Sequence, residues 1–233
     1  MLIIPTYKER ENIVTLVTRI RGAVPEEGIF FVDDNSPDGT ADEIRRLQGA
    51  NAGVHLRTRP GKLGYGSACR EAMQEILRGQ LDDHVIQFDA DLSHPPEMLP
   101  RLLDMLGKYD VVIGSRYIPG GGSENWDFRR RLLSFGANLY ARTLTGVPVH
   151  DMTAGFVGYR ADILRKLALD AIRSEGYAFL MEMKFNLHRL GARFGEFPIV
   201  FAEREAGKSK FSRRIMFEGM KFPWRALGRR IAG

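Results

Sequence analysis

Short apolar runs alternate with helical spacings through the first half of the chain. Residues 2–4, 29–32, 54–56, 85–88 and 111–113 are nearly unbroken apolar stretches, the pattern of strands covered on both faces. Between the first two, Ile13, Leu16, Val17, Ile20 and Val24 fall on one face of a helix. Residues 40–47, 68–77 and 97–106 read as further helices. Strands alternating with helices predict an α/β domain built on a mostly parallel sheet with helices on both faces. Ligands in such sheets bind beyond the carboxyl ends of the strands. Three predicted strand ends carry polar clusters: Thr6-Tyr7-Lys8-Glu9, Asp33-Asp34-Asn35-Ser36 and Asp89-Ala90-Asp91. Their shared edge is the expected site.

The second half is less regular. Gly120-Gly121-Gly122 marks a flexible loop, residues 130–144 and 179–190 read as helices, and 194–201 as one strand. A basic loop, Arg204 to Lys210, follows. From Ile215 the spacing is helical again. Met216, Met220, Trp224, Leu227 and Ile231 form an apolar stripe, with Arg214, Glu218, Lys221, Arg225 and Arg229 opposite. Such a helix either packs on the core or lies in a membrane interface with Trp and basic residues at headgroup level. Pro223 predicts a kink or two short pieces. The expected division is a catalytic domain over 1–212 and a basic amphipathic segment over 213–233.

Composition narrows the class. The chain has 233 residues, enough for one good core, and 44% hydrophobic content, ordinary for a globular domain. No apolar run approaches the roughly 18 residues of a membrane span. Met1 leads straight into the first strand without a signal-peptide pattern. That strand is short, so a native start a few residues upstream is expected. The single cysteine, Cys69, excludes an internal disulfide and fits a reducing compartment. From Glu203 onward there are nine Lys and Arg against three Glu, which places the formal net charge of +5 at the C-terminal end. Basic residues of this kind serve a solvated face, nucleic acid, phosphate ligands or anionic lipid. They lack the interleaved aromatics of single-strand binders, so no nucleic acid partner is expected.

The carboxylate pair is the strongest chemical signal. Like charges about 4 Å apart repel by about 4 kcal/mol at a protein-surface dielectric. A divalent cation removes that cost, and Mg²⁺ or Mn²⁺ suits hard carboxylate oxygens, with phosphates completing the shell. Two nucleotide-site decoys fail. The first strand ends in Pro5-Thr6-Tyr7-Lys8-Glu9 rather than a glycine-rich turn, and Gly61 to Gly66 has its glycines in the wrong order. Gly207-Lys208-Ser209 has Ala202 where a P-loop needs glycine.

Ile4-Pro5-Thr6-Tyr7-Lys8-Glu9-Arg10-Glu11-Asn12, Val32-Asp33-Asp34-Asn35-Ser36-Pro37-Asp38-Gly39-Thr40, Asp89-Ala90-Asp91-Leu92-Ser93-His94-Pro95-Pro96 and Gly114-Ser115-Arg116-Tyr117 occur in that order. The combination resembles the inverting, GT-A-fold family-two glycosyltransferases. Within them it is most similar to the dolichol-phosphate (polyprenol-phosphate) mannose synthases. Glu124-Asn125-Trp126, Arg130, Ser134, Asp151-Met152-Thr153-Ala154-Gly155-Phe156 and Glu203 to Lys210 match that subgroup. Lys8 and Ser93 depart from it, since the family often has Asn and Gln there.

The resemblance implies roles. Pro5, Tyr7, Glu9, Val32 and Asp34 would cradle the nucleotide. Asp89, Ala90 and Asp91 would meet the diphosphate, and Asp89, Asp91 and Ser93 a Mg²⁺ or Mn²⁺ ion. Arg116, Arg130 and Ser134 would take the acceptor phosphate, making Asp89, Asp91 and Arg116 the catalytic set. Arg204 and Lys210 would close over the diphosphate, and His94 would be structural. The implied reaction moves mannose from GDP-mannose to a polyprenyl phosphate with inversion. A glucosyltransferase using UDP-glucose and a non-catalytic membrane-associated module of the same fold are the alternatives. The expected placement is cytoplasmic, peripheral on the cytoplasmic face of the membrane, with a small membrane subunit or separate membrane partner as a possible companion.

Overall fold

The computed structural model describes residues 1–50, 52–202 and 213–231, with the side chains of all of these but 213–216. Strands β1 (Leu2–Thr6), β2 (Ile29–Asp33), β3 (Val54–Thr58) and β4 (His84–Gln87) alternate with helices α1 (Arg10–Ala23), α2 (Thr40–Ala50) and α3 (Tyr65–Gly79). Then come α4 (Leu99–Leu106), β5 (Val111–Ser115), β6 (Gly122–Ser123), α5 (Phe128–Thr145), β7 (Val157–Arg160) and α6 (Ala161–Arg165). The described chain ends with α7 (Gly176–Arg189), β8 (Phe194–Pro198), β9 (Val200–Phe201) and α8 (Arg213–Ile231).

The main sheet runs β3-β2-β1-β4-β7-β5-β8. All its pairings are parallel except those of β7, which lies antiparallel between β4 and β5. The expected mostly parallel sheet is therefore present, with one central strand that the sequence pattern did not single out. Val157-Gly158-Tyr159-Arg160 is too short and too interrupted by Gly158 to read as a strand alone. In place, Val157 and Tyr159 are fully buried on one face. A Cβ on Gly158 would come within 2.4 Å of Leu102 Cδ2, so α4 can lie against the sheet only because that position is glycine.

Two apolar clusters fill the faces. One joins α3 and α7 to Ile3, Phe30, Val85, Val111 and Tyr159; the other joins α1 and α4 to Leu2, Ile4, Phe31, Ile86 and Val112. The alternation of sides along β1 and β2 follows from the two-residue period of a strand. The predicted strand over 194–201 divides at Ile199. Its N–H bonds to Ser115 O, while β9 beyond it leaves the main sheet and pairs with β6.

Helix α8 runs unbroken through Pro223, so the segment is not two short pieces. Phe222, Pro223 and Ala226 are buried, and the Phe222 ring meets Phe185 of α7, so packing offsets the hydrogen bond that proline removes. The expected stripe is not the buried face. Met220, Trp224 and Ile231 are exposed and Leu227 half-buried. Although the segment reads apart from 1–212 in sequence, Phe222 and Ala226 share the core of α3 and α7. Tyr140 of α5 donates a hydrogen bond to Met220 O.

Candidate functional site

The carboxyl edge of β1, β2 and β4 carries the polar clusters. The backbone there is unusual: Lys8, Asn35 and Leu92 have φ of 59°, 54° and 60°. Non-glycine residues in the left-handed region are uncommon, and three at adjacent strand ends mark a surface shaped against local preference.

Much of the acidic character here is spent internally. Asp33 is wholly buried; it accepts from Thr6 Oγ1 and from the N–H and Oγ of Ser36. Asp34 accepts from Arg59 Nη1 (2.8 Å) and from the N–H groups of Leu63 and Gly64, both at 3.1 Å. Burial pushes its carboxyl above the usual range, against the pull of Gly64 N–H and Arg59. The Val32 side chain is fully enclosed in the core. The sequence assigned both residues to the nucleotide base. In place, Val32 can offer only its backbone, and Asp34 pins the 59–64 loop. Tyr7 stays half-exposed with Lys62 Nζ 4.5 Å from its ring centre, beside half-buried Pro5. Glu9 accepts from Asn12 at the start of α1.

The second cluster follows β4. Asp89 Oδ1 accepts from Tyr65 Oη (3.0 Å), and that hydroxyl accepts from Gln87 Nε2 (2.8 Å). Burial raises the Tyr65 pKa well above its ordinary value, so it stays a donor. Asp91 is buried, and Oδ1 accepts from both the N–H and Oγ of Ser93. Ser93 is wholly buried, with its Oγ donating to Asp91. Ala90 is buried between the two carboxylates. His94 sits in an aromatic box of Phe88, Phe156 and Phe201, as a structural histidine. Two hard-oxygen donors at one strand end fit a Mg²⁺ or Mn²⁺ ion that relies on phosphate and water for its remaining ligands. Among the described residues the one three-ligand group, Glu27, Asp82 and His84, lies at the opposite, amino edge. Asp82 and Glu27 there already hold the Met1 ammonium, so that group is unrelated to the site.

The third cluster is centred on Arg116, just past β5. Its Nε and Nη2 grip Asp151 at 2.8 Å each, and Nη2 also donates to Thr153 Oγ1. Rings of Tyr117, Trp126 and Phe201 lie 5.3–5.7 Å from the guanidinium. Burial opposes charge on both partners, yet their attraction holds Asp151 below and Arg116 above their ordinary values. Arg130, on the first turn of α5, stacks on Trp126 at 4.1 Å. Ser134 Oγ accepts from Tyr117 Oη at 2.6 Å. Asp127 caps that helix by accepting from Arg130 N–H. A cavity of about 240 Å³ opens here, lined by Arg116, Tyr117, Trp126, Arg131 and Phe135 among others.

The segment 151–155 joins the second and third clusters. Asp151 holds Arg116, while a Cβ on Gly155 would stand 3.1 Å from Asp89 Oδ2 and 3.3 Å from Tyr65 Oη. Four residues of chain reach at most about 14 Å, which bounds the separation of the Arg116 and Asp89 clusters along this segment. Lys184, fully buried on α7, donates to Met152 O (3.2 Å) and Ala154 O (3.0 Å) and so clamps the segment. Burial pushes its pKa down to about 7. Sequence reading missed Lys184 because it sits within an ordinary helical stretch. It also missed Tyr65, which nothing nearby distinguished. Arg204 and Lys210 lie outside the described residues.

The profile of Glycosyl transferase family 2 matches residues 1–168. The chain is 43% identical over 240 residues to the undecaprenyl-phosphate mannosyltransferase of Micrococcus luteus, covering 99% of this chain and 98% of that one. It is 43% identical over 224 residues to the polyprenol monophosphomannose synthase of Mycolicibacterium smegmatis, covering 94% and 83%. Among solved structures, glucosyl-3-phosphoglycerate synthase from Mycobacterium tuberculosis, in complex with Mn²⁺ and UDP-glucose, superposes with a TM-score of 0.68 at 17% identity, covering 97% of this chain and 78% of that one. At that identity the likeness is one of fold.

Two outcomes follow from the geometry. Asp151→Ala strands a buried guanidinium and should cost about 3–5 kcal/mol in urea unfolding, with the Arg116→Met/Asp151→Ala double variant recovering much of it. Lys184 binds fewer protons folded than unfolded between its folded value of about 7 and its ordinary 10.5. Its burial therefore penalises the fold fully below pH 7, and the penalty fades as pH rises towards 10.5. Lys184→Met should flatten the rise in urea midpoint between pH 7 and 9.

Proposed function

The chain belongs to glycosyl transferase family 2, and on that premise we propose that it transfers mannose from GDP-mannose to a polyprenyl phosphate, giving polyprenyl phosphate β-mannose and GDP. The observation that supports this reading is the 151–155 segment, in which Asp151 holds Arg116 and Gly155 lies against Asp89. The two relatives named for mannosyl transfer to polyprenyl phosphates support the mannosyl donor and the lipid acceptor.

The chemistry suits the residues. A phosphate monoester has a second pKa near 6 and is largely dianionic at neutral pH, so the acceptor is already a nucleophile and needs no general base. The enzyme's task is to bring two anions together. Arg116 and Arg130 hold the acceptor phosphate, with Ser134 beside them. Asp89 and Asp91 would hold a Mg²⁺ or Mn²⁺ ion, with Tyr65 beside the first and Ser93 beside the second, and such an ion would supply charge neutralisation for the leaving diphosphate. Pro5, Tyr7 and Glu9 line the nucleotide side. In-line attack inverts the anomeric carbon.

The acceptor's lipid tail calls for a membrane. No helix among the described residues is long and apolar enough to cross one. Nine of the fourteen exposed large apolar side chains among the described residues sit on α5 and α8, including Phe128, Leu132, Leu133, Phe217 and Trp224. Arg129, Arg131, Lys221 and Arg225 are exposed on the same two helices. Basic residues near an anionic leaflet contribute roughly 1 kcal/mol each. These exposed apolar and basic side chains support peripheral membrane binding through α5 as much as through the C-terminal helix.

Purified protein should form GDP and mannosyl lipid from GDP-mannose and a polyprenyl phosphate only with a divalent cation, and Asp91→Ala should lose turnover by at least about a hundredfold. Preference for UDP-glucose, or full activity in excess chelator, would refute the donor or the metal. Leu132→Glu/Leu133→Glu should weaken co-sedimentation with anionic vesicles about tenfold or more while leaving GDP-mannose binding intact. Unchanged sedimentation would exclude α5 as a membrane face.

A further inference from the structure

Among the described residues, two buried side-chain polar atoms lack a hydrogen-bond partner: Arg59 Nε and Trp126 Nε1. The rest of the Arg59 guanidinium is engaged by Asp34, Gly64 O and Ser67, deep under the 59–64 loop. Trp126 stands elsewhere. It lines the cavity of about 240 Å³ together with Arg116, Tyr117, Arg131 and Phe135. The Arg130 guanidinium lies 4.1 Å and that of Arg116 5.7 Å from its ring centre, and Phe201 packs edge-on at 5.7 Å.

An indole N–H can only donate. Left buried without an acceptor it destabilises the protein, and an acceptor arriving with a ligand removes that penalty. The acidic side chains beside the cavity are already committed, Asp151 to Arg116 and Asp127 to the first turn of α5. Around the cavity stand the guanidinium groups of Arg116, held by Asp151, Arg131, held by Ser123 O, and Arg130, together with one unmet N–H and aromatic walls. That combination fits a phosphate monoester with an apolar tail: anionic oxygens accept from cations and the indole, and the tail meets the rings.

We propose that Trp126 is a binding residue for the acceptor: its indole N–H donates to a phosphate oxygen of the prenyl phosphate, while its ring keeps the guanidinium groups of Arg130 and Arg116 at that phosphate. This rests on the acceptor assigned under the proposed function. Trp126 therefore serves the complex at the expense of the unliganded fold.

Trp126→Phe tests the N–H while keeping an aromatic face. The KM for farnesyl phosphate should rise roughly tenfold or more, with kcat at saturating acceptor and GDP-mannose affinity unchanged. The thermal midpoint without acceptor should hold or rise, because the unmet donor is gone. An unchanged KM overturns the proposal, as does a lower midpoint with weakened binding of both substrates. A second measurement needs no variant at this position. The chain has two tryptophans, and Trp224→Phe leaves one ¹⁵N indole signal to follow. That signal should move downfield with farnesyl phosphate, move less with inorganic phosphate at equal concentration, and stay still with farnesol. No movement with farnesyl phosphate, or equal movement with farnesol, overturns the contact. If mannose is transferred but the signal stays still, this inference fails and the functional reading stands. If no prenyl phosphate accepts mannose, the functional reading fails, and the indole signal still decides the contact.

Discussion

The buried pair of Arg116 and Asp151 is the constraint on which the site depends. Two ions taken out of water are costly, and they are tolerated only with good geometry and further hydrogen bonds. Here the guanidinium meets the carboxylate through two nitrogens, Thr153 takes a third contact, and Glu196 accepts from the Asp151 N–H. The pair bolts the end of β5 to the 151–155 segment. Lys184 clamps the same segment from below, and Gly155 lets it lie against Asp89 and Tyr65. The Arg116 guanidinium is in this way held rigid before any ligand arrives, and a group fixed beforehand has a lower ordering cost on binding.

The same economy governs the carboxyl edge of the sheet. Acidic residues there divide into those that build loops and those that face the site. Asp33 and Asp34 are consumed by backbone N–H groups, hydroxyls and Arg59. Asp89 is instead met by the Tyr65 hydroxyl, with His94 Nε2 3.8 Å away, and Asp91 by the N–H and hydroxyl of Ser93. The left-handed turns at Lys8, Asn35 and Leu92 are the strain this shaping carries.

Helices α5 and α8 show how the fold separates a core face from an outward one. Phe222, Pro223 and Ala226 turn α8 onto α7, which leaves Met220, Trp224 and Ile231 outside beside the exposed leucines of α5. An amphipathic stripe in a terminal helix usually packs inward. Here Phe222, Pro223 and Ala226 do the packing and Met220, Trp224 and Ile231 remain outside, an exposed apolar face of the kind that marks an interaction surface.

The alternation of strands and helices, the polar strand ends and the carboxylate pair were legible in the sequence, because periodicity and local turn chemistry act within a few residues of chain. The motif order was legible too, and with it the family. Tertiary structure alone placed β7, whose four residues form a strand only when β4 and β5 flank them. It alone separated Asp34 from Asp89, since what a carboxylate does depends on how many donors reach it from distant segments. It put Lys184 and Tyr65 in the site through contacts across 30 and 24 residues of chain. And it decided between the two readings of the α8 stripe, because which side of a helix is buried is set by the helix it meets and not by the stripe it carries.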